Sequence, residues 1–230
     1  MGCLPDAEKD YDEFRSDTAG VRGKKVIDFA AAGGQGGSDG GAGGVGGAEA
    51  GGSGGAPAVG LPDITGTFHV TCLPTIAGGD QNKALRFVGT IALTKDAPES
   101  EMGNATFSLI PLKKDATTTA ETTGAKFETS APVAFSVGAP SDLAFGDGVS
   151  VPGDANPISG SEILLNQVVM VARIKTADFL CAELNGQAVK PLQIDLAAPE
   201  SVDVCLFDRI PEGTDAVARV TDANRFVPCE

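Results

Sequence analysis

Cysteine is the residue type with the most chemistry to offer in this chain, which contains five of them. Cys3 stands apart, at the head of an acidic and then glycine-rich stretch that gives a thiol no packing role. A cysteine in that position suits covalent attachment of lipid, and several acyl chains hold a protein stably at a membrane where one alone holds it weakly. We therefore predict that Cys3 is lipidated.

Two alternatives for these first residues stay open. N-myristoylation of Gly2 is compatible with the opening Met-Gly, but that pattern prefers Ser or Thr at position 6, where this chain has Asp6, and Pro5 adds a bend. A free thiol at Cys3 is the other alternative. Because a lipoprotein precursor carries a charged and apolar signal segment before its cysteine, we expect the given chain to begin near the mature end.

The remaining cysteines, Cys72, Cys181, Cys205 and Cys229, form an even set, which predicts two disulfides in an exported protein. Three connectivities are possible. Proximity in sequence weakly favours Cys205 with Cys229, which leaves Cys72 with Cys181. Metal ligation is the competing use, but no Cys-x-x-Cys pair occurs and the chain has one histidine, too few for a zinc cluster.

Other candidate chemistry is sparse. His69 is expected to be an exposed strand residue, since no Gly-x-Ser-x-Gly elbow or Ser/His/Asp order surrounds it. Asp147, Asp154 and Asn156 lie in an oxygen-rich stretch that could hold Ca²⁺, although it lacks the spacing of a calcium loop. The glycine tract follows no strand and opens no helix, which disfavours nucleotide binding. We predict no catalytic, cofactor-binding or metal residues, and expect a protein that is not an enzyme.

Charge narrows the range of partners. The net charge is −14, with 5 basic and 9 acidic residues in 1–60 and 12 basic and 22 acidic residues in 61–230. Both parts repel nucleic-acid phosphates and anionic lipid, so we predict no nucleic-acid partner. The chain has no Trp, and its single tyrosine, Tyr11, precedes the glycine tract, which gives sugar stacking little support.

The elements that must position these residues fall into three parts. Residues 1–32 form an acidic anchor segment that we expect to be mostly unstructured. In residues 33–60, 15 of 28 positions are glycine, which predicts a flexible tether with a root-mean-square span of roughly 30 Å. Residues 61–230 are long enough for one globular domain with a sizeable core. No run of 18 apolar residues occurs, so any membrane contact would come from the lipid.

The domain is predicted to be built from β-strands. Residues 63–72 place Phe68, Val70 and Cys72 on one face and polar residues on the other, the period of a half-buried strand. Similar segments recur with no long helical period, which predicts an all-β fold, an antiparallel β-sandwich or an up-and-down β-barrel. The further predicted strands are residues 84–94, 105–112, 133–137, 143–145, 149–151, 162–176, 179–184, 192–196 and 202–207.

Two details of this strand pattern carry predictions of their own. Asn185-Gly186 and Asp147-Gly148 are typical of hairpin turns whose residues need positive φ. The segment 162–176 is apolar on both faces, which predicts a strand buried on both sides or passing between two packed environments. Asn166 and Gln167 within it would then need hydrogen-bond partners in the core, or would line a ligand cavity.

One resemblance to known proteins rests on five segments: Gly2–Asp6, the glycine tether, Asn156–Ser161, Phe179–Cys181 and Pro191–Leu196. In these segments the chain resembles a group of uncharacterised lipoproteins and secreted proteins from myxobacteria-like organisms. The resemblance covers the layout of the whole chain and implies an exported, anchored β-domain of unknown role. The chain differs from the group at Ala182, where the group usually has glycine, and it has an inserted Leu180.

Two functions are predicted from this layout. The first is a bacterial lipoprotein anchored through Cys3 in the outer membrane or at the cell surface, whose β-domain contacts an envelope or extracellular partner. The second is a small-ligand binder that holds an apolar molecule in the mouth of a barrel. An interior filled by the protein's own side chains favours the first, whereas a cavity of about 300 Å³ or more favours the second.

Overall fold

The computed structural model describes residues 60–191, 193–196 and 203–229. They belong to one compact unit, Pro57–Glu230. The predicted anchor segment 1–32, with Cys3, and all but the last residue of the predicted tether 33–60 lie outside them.

The described domain is all β, as predicted from the alternating pattern. Single 3₁₀ turns cover Thr75–Ala77, Gln81–Lys83 and Ala223–Arg225. Every predicted strand overlaps an observed one, and the short β4 is the strand that the pattern missed. The strands are β1 (Gly66–Leu73), β2 (Leu85–Thr94), β3 (Met102–Pro111), β4 (Phe127–Glu128), β5 (Val133–Ser136), β6 (Ser141–Gly146), β7 (Val149–Val151), β8 (Ile163–Ile174), β9 (Phe179–Lys190), β10 (Ile194–Asp195) and β11 (Asp203–Arg209).

These strands form one antiparallel sheet with the order β4-β3-β2-β1-β11-β9-β8-β6. Strands adjacent in the chain are mostly adjacent in the sheet, and β11 returns to pair with β1. β5 lies on the same edge of β3 as β4, and β7 continues along β8 from β6. Two sheet edges therefore remain, one formed by β4 and β5 and the other by β6 and β7.

The two edges meet in a seam that nearly closes the sheet into a barrel. The backbone N–H of Ser130 donates to the carbonyl oxygen of Ala144 at 3.0 Å, and the Ser141 hydroxyl donates to the carbonyl oxygen of Ala134 at 2.8 Å. Between the two alternatives predicted for the all-β fold, the structure is the up-and-down barrel. Near-closure removes most of the unpaired strand edge that an open sheet would expose.

Phenylalanine fills the barrel interior. Phe68, Phe107, Phe135 and Phe207 are each no more than 1% exposed. The ring centroid of Phe107 lies 5.7 Å from that of Phe135 on the paired strand β5, and 6.3 Å from that of Phe207 on the non-adjacent strand β11. Aliphatic side chains from the other strands complete this single large core, which is packed with the protein's own side chains.

Two smaller apolar clusters lie on the outside of the barrel, under segments that we call the cover, residues 112–117 and 210–229. One cluster joins Leu112 and Ala116 with Ile210 and Val217. The other packs Val220 and Cys229 on the outer faces of β9 and β11. As a result β1 and β11 are buried on both faces.

The predicted two-sided burial of residues 162–176 is wrong, because a β-bulge changes which residues face inward. In β8 the buried positions are Leu165 and then Val168, Met170 and Ala172. Gln167, at φ 53°, is the extra residue that shifts the alternation by one. Gln167 is exposed, so neither predicted role in the core applies to its side chain.

Both predicted hairpin turns are wrong for the same reason. Gly186 lies inside β9, opposite the bulge, with φ 145°. Asp147-Gly148 connects β6 to β7, which both run along β8. The Asp147 carboxylate accepts from the N–H of Gln167 at 2.7 Å, and the Asn166 side-chain oxygen accepts from the N–H of Gly148 at 3.1 Å. Positive φ serves a bulge as well as a turn, and sequence pattern does not distinguish the two.

Candidate functional site

The four cysteines of the domain form two disulfides, Cys72–Cys205 and Cys181–Cys229. The prediction of two disulfides is confirmed, but the predicted pairing is wrong. Cys72 on β1 lies directly opposite Cys205 on β11, and both face the barrel core. Cys181 faces outward, where it meets Cys229 at the end of the cover. Cys205 and Cys229 are close in sequence but lie on opposite faces of the sheet.

Two disulfides indicate a protein that folds outside the reducing cytoplasm. Across the part of the chain that the structure describes, no helix is long and apolar enough to cross a membrane.

A buried polar cluster on the outer face of β1 and β2 is the candidate functional site. His69 is 6% exposed and Arg86 is 4% exposed, so the prediction of an exposed His69 is wrong. The Nε of Arg86 donates to Nε2 of His69 at 3.1 Å. The Nη1 and Nη2 of Arg86 donate to the carbonyl oxygens of Ala116 and Val217, at 2.9 and 3.0 Å respectively. The cover thus buries both side chains and supplies two of the three acceptors.

Electrostatics hold the His69 imidazole neutral. Burial and the nearby Arg86 charge lower the pKa of His69 from 6.5 to about 4, and Asp208 opposes them. Since Nε2 accepts the hydrogen bond from Arg86, the ring proton of the neutral imidazole resides on Nδ1. A base with so low a pKa is weak for proton abstraction near neutral pH, so this ring is better suited to donating a hydrogen bond than to catalysis.

Arg86 is buried without a carboxylate partner among the described residues. Burial lowers the pKa of Arg86, as does Arg219, while Glu121 and Asp115 raise it. A guanidinium stays charged in a protein, so its burial leaves a positive charge that neutral acceptors solvate only in part. Beside it on β1, the hydroxyl of Thr71 is the one fully buried side-chain polar atom in the described residues that lacks a hydrogen-bond partner.

A groove of about 390 Å³ opens beside this cluster, between β11 and the cover. His69 lies in its wall, Arg219 and Arg225 are among the side chains that line it, and Ile210 and Val220 supply apolar surface. The groove therefore combines hydrogen-bond donors with apolar walls, as small-molecule sites commonly do.

A second groove, of about 570 Å³, follows the seam and is lined by parts of residues 130–134 and 140–144. Its side chains are small or apolar apart from Asp142 and two serines. Both grooves lie on the outside of the barrel, away from the packed core.

The three residues of the possible Ca²⁺-binding stretch, Asp147, Asp154 and Asn156, each form hydrogen bonds with different partners. Asp147 binds the bulge in β8, and the Asp154 carboxylate accepts from the Thr123 hydroxyl at 3.1 Å. Asn156 is buried and holds its own loop through the N–H of Ile158 and the carbonyl oxygen of Ser161. Within the described residues, no three or more His, Cys, Asp or Glu side chains gather in a way that could hold a metal ion.

Asp203 is a further buried charge that the sequence did not single out. It is 3% exposed and accepts hydrogen bonds from both the N–H and the hydroxyl of Thr75, the latter at 2.6 Å. Burial raises the pKa of Asp203, and the Thr75 hydrogen bonds oppose the rise. These bonds hold the 3₁₀ turn after β1 against the start of β11, which is a structural role.

Comparison of the chain with models of known protein families, with curated proteins and with solved structures found no match.

Proposed function

We propose that this chain is a bacterial lipoprotein of the cell envelope, anchored through lipid on Cys3, and that its β-domain makes contacts with an envelope or extracellular partner. The localisation is supported by the two disulfides of the domain, because structural disulfides persist in exported proteins. Anchorage is supported by the position of Cys3 ahead of the acidic and glycine-rich residues, which are suited to holding a domain away from a surface.

The packed interior of the barrel is the observation that favours contact with a partner over the alternative, an apolar ligand in the barrel. Rings of Phe107, Phe135 and Phe207 lie close together in the interior, and these side chains are at most 1% exposed. A ligand of ordinary size needs about 300 Å³ or more of cavity, so it would have to displace several of these rings. Truncating even one buried phenylalanine typically costs about 3–5 kcal/mol, which indicates how unfavourable that displacement is.

Mass spectrometry of the native protein tests the anchor. The protein purified from membranes of its own organism is expected to carry added acyl mass on the peptide that begins at Cys3, and to partition into detergent. Cys3→Ser is expected to remove both properties and leave the two disulfides unchanged. An unmodified Cys3 in the native protein would contradict the anchor and the envelope localisation built on it.

Ligand titration of the full, oxidised chain tests the packed interior. An uncharged fluorescent probe, N-phenyl-1-naphthylamine, is expected to show no saturable one-to-one binding. Phe135→Ala is a positive control, because it opens a cavity of about one ring in the same core and is expected to bind benzene, whereas the unmodified chain is expected to bind none. Saturable binding to the unmodified chain would overturn the interaction proposal in favour of the apolar-ligand alternative.

A further inference from the structure

We call the groove between β11 and the cover the arginine groove, because Arg219 and Arg225 are in its lining. It lies beside the buried polar cluster of His69 and Arg86. We infer that the arginine groove binds a small oxyanion, the carboxylate or phosphate group of a small ligand. This inference goes beyond the proposed anchoring and partner contact and does not depend on either.

The first argument is the buried charge of Arg86, which no carboxylate of the described residues contacts directly. Among the described arginines around the groove, Arg209, Arg219 and Arg225 each have a carboxylate within ion-pair distance, whereas Arg86 has none. All three hydrogen bonds of Arg86 go to neutral acceptors. A buried charge is costly unless paired, so an anion that docks close by gains more attraction here than at the open surface.

The second argument is a donor on His69, whose ring is part of the groove lining. Its Nε2 is occupied by Arg86, so the remaining polar atom of the ring, Nδ1, carries a proton to donate. His69 itself lines the groove. Because Arg86 fixes both the tautomer and the ring orientation, Arg86 acts as a positioning residue for this donor as well as a source of charge.

The third argument is the spare donor capacity of two of the three arginines that line the groove, Arg219 and Arg225. Arg219 donates to the carbonyl oxygens of Asn82 and Lys114 and approaches Asp115, and its side chain is 35% exposed. Arg225 contacts Asp208 through Nη2 alone and its side chain is 36% exposed. A guanidinium has five N–H donors, so each keeps donors for a planar or tetrahedral oxyanion.

Two carboxylates in the groove limit what can bind. Asp208 accepts from Arg225, and Asp222 accepts from the backbone N–H of Asn224 at 3.0 Å. With these acids present and an acidic domain around it, the groove has no strong long-range attraction for a polyanion. It suits a small molecule that makes direct hydrogen bonds, with its apolar part against Ile210 and Val220.

The test uses the full, oxidised chain, isotopically labelled, with inorganic phosphate and sodium acetate as separate probes and sodium chloride at equal ionic strength as the baseline. The NMR signals of the His69 ring nitrogens and of the Nε–H groups of Arg219 and Arg225 are followed. We expect a saturable shift with at least one oxyanion and none with chloride. A larger affinity for phosphate assigns the ligand to phosphate compounds, and a larger affinity for acetate assigns it to carboxylates.

Substitutions locate the binding. Arg219→Gln and Arg225→Gln are each expected to weaken it about tenfold, since each removes charge-assisted hydrogen bonds. Arg219→Lys keeps the charge, loses the fork of donors and is expected to weaken binding as well. Lys126→Gln removes one positive charge from a residue outside the groove and should leave affinity unchanged. The absence of saturable shifts with both oxyanions, or equal affinities in all four variants, would overturn the inference.

Discussion

His69 illustrates how a single side chain takes its properties from the surface placed over it. In the unfolded chain its pKa is near 6.5, whereas the cover and Arg86 lower the folded value to about 4. The unfolded state therefore binds a proton at a pH where the folded state does not. Above pH 6.5 the titration of His69 leaves the free energy of unfolding unchanged. As the pH falls from 6.5 to about 4, the titration of His69 lowers that free energy.

Replacing His69 should flatten that part of the pH profile. His69→Gln keeps an acceptor for the Nε of Arg86 and removes the titrating group. The free energy of unfolding of the unmodified chain is expected to drop by about 2–3 kcal/mol between pH 6.5 and 4 relative to the variant. Urea unfolding of both proteins at several pH values measures this difference. The other titrating groups are the same in both proteins, so parallel plots of unfolding free energy against pH would show that His69 is not held neutral.

At the scale of elements, the bulge shared by β6, β7, β8 and β9 decides which side chains enter the core. Gly186 is its tightest point, because a Cβ there would lie 3.0 Å from the carbonyl oxygen of Asn166 and 3.2 Å from that of Gln167. Its φ of 145° is also a conformation that side-chain-bearing residues rarely adopt. The backbone thus requires glycine here for both steric and conformational reasons.

Gly186→Ala is expected to cost about 2–3 kcal/mol of unfolding free energy. Gly160→Ala is the matched control, since Gly160 has φ 68° but no atom within 4 Å of an added Cβ. Its expected cost is about 1 kcal/mol, from the conformation alone. Chemical denaturation of both variants measures the difference, and equal losses would mean that the close approach to β8 does not constrain the bulge.

Across the whole molecule, the two disulfides hold different parts together. Cys72–Cys205 joins the first and last long strands of the barrel, across 133 residues. Cys181–Cys229 spans 48 residues and fixes the end of the cover, where Glu183 also accepts from the N–H of Cys229 at 3.0 Å. The first joins two neighbouring strands in the middle of the sheet, and the second keeps the outer clusters and His69 buried.

Removing each disulfide should therefore have a distinct effect. In the chain-entropy description, Cys72→Ala with Cys205→Ala costs about 5 kcal/mol and Cys181→Ala with Cys229→Ala about 4 kcal/mol. The second pair of changes should also loosen the cover and reduce the pH dependence assigned to His69. Chemical denaturation of both double variants at pH 4.5 and 7.5 separates the loss of stability from the change in its pH dependence. If the pH dependence of the unfolding free energy were unchanged in both variants, the role given to Cys229 would be contradicted.

The sequence predicted much of the fold and little of the candidate site. Alternation located the strands because a half-buried strand imposes a period of two on its residues. Arg86 and His69 were not recognised as partners, since they are 17 positions apart and meet only through the pairing of β1 with β2. Their burial depends on the cover, whose irregular residues carry no periodic signal.

By itself, the sequence determined that the domain is all β and that its four cysteines are paired, because these properties follow from composition and local periodicity. Tertiary structure alone decided the barrel closure, the partner of each cysteine, the bulge that reverses the inward face of β8 and the burial of His69 with Arg86. Each of these depends on which strand lies beside which and on what covers the sheet, and contacts between residues distant in sequence leave no local pattern.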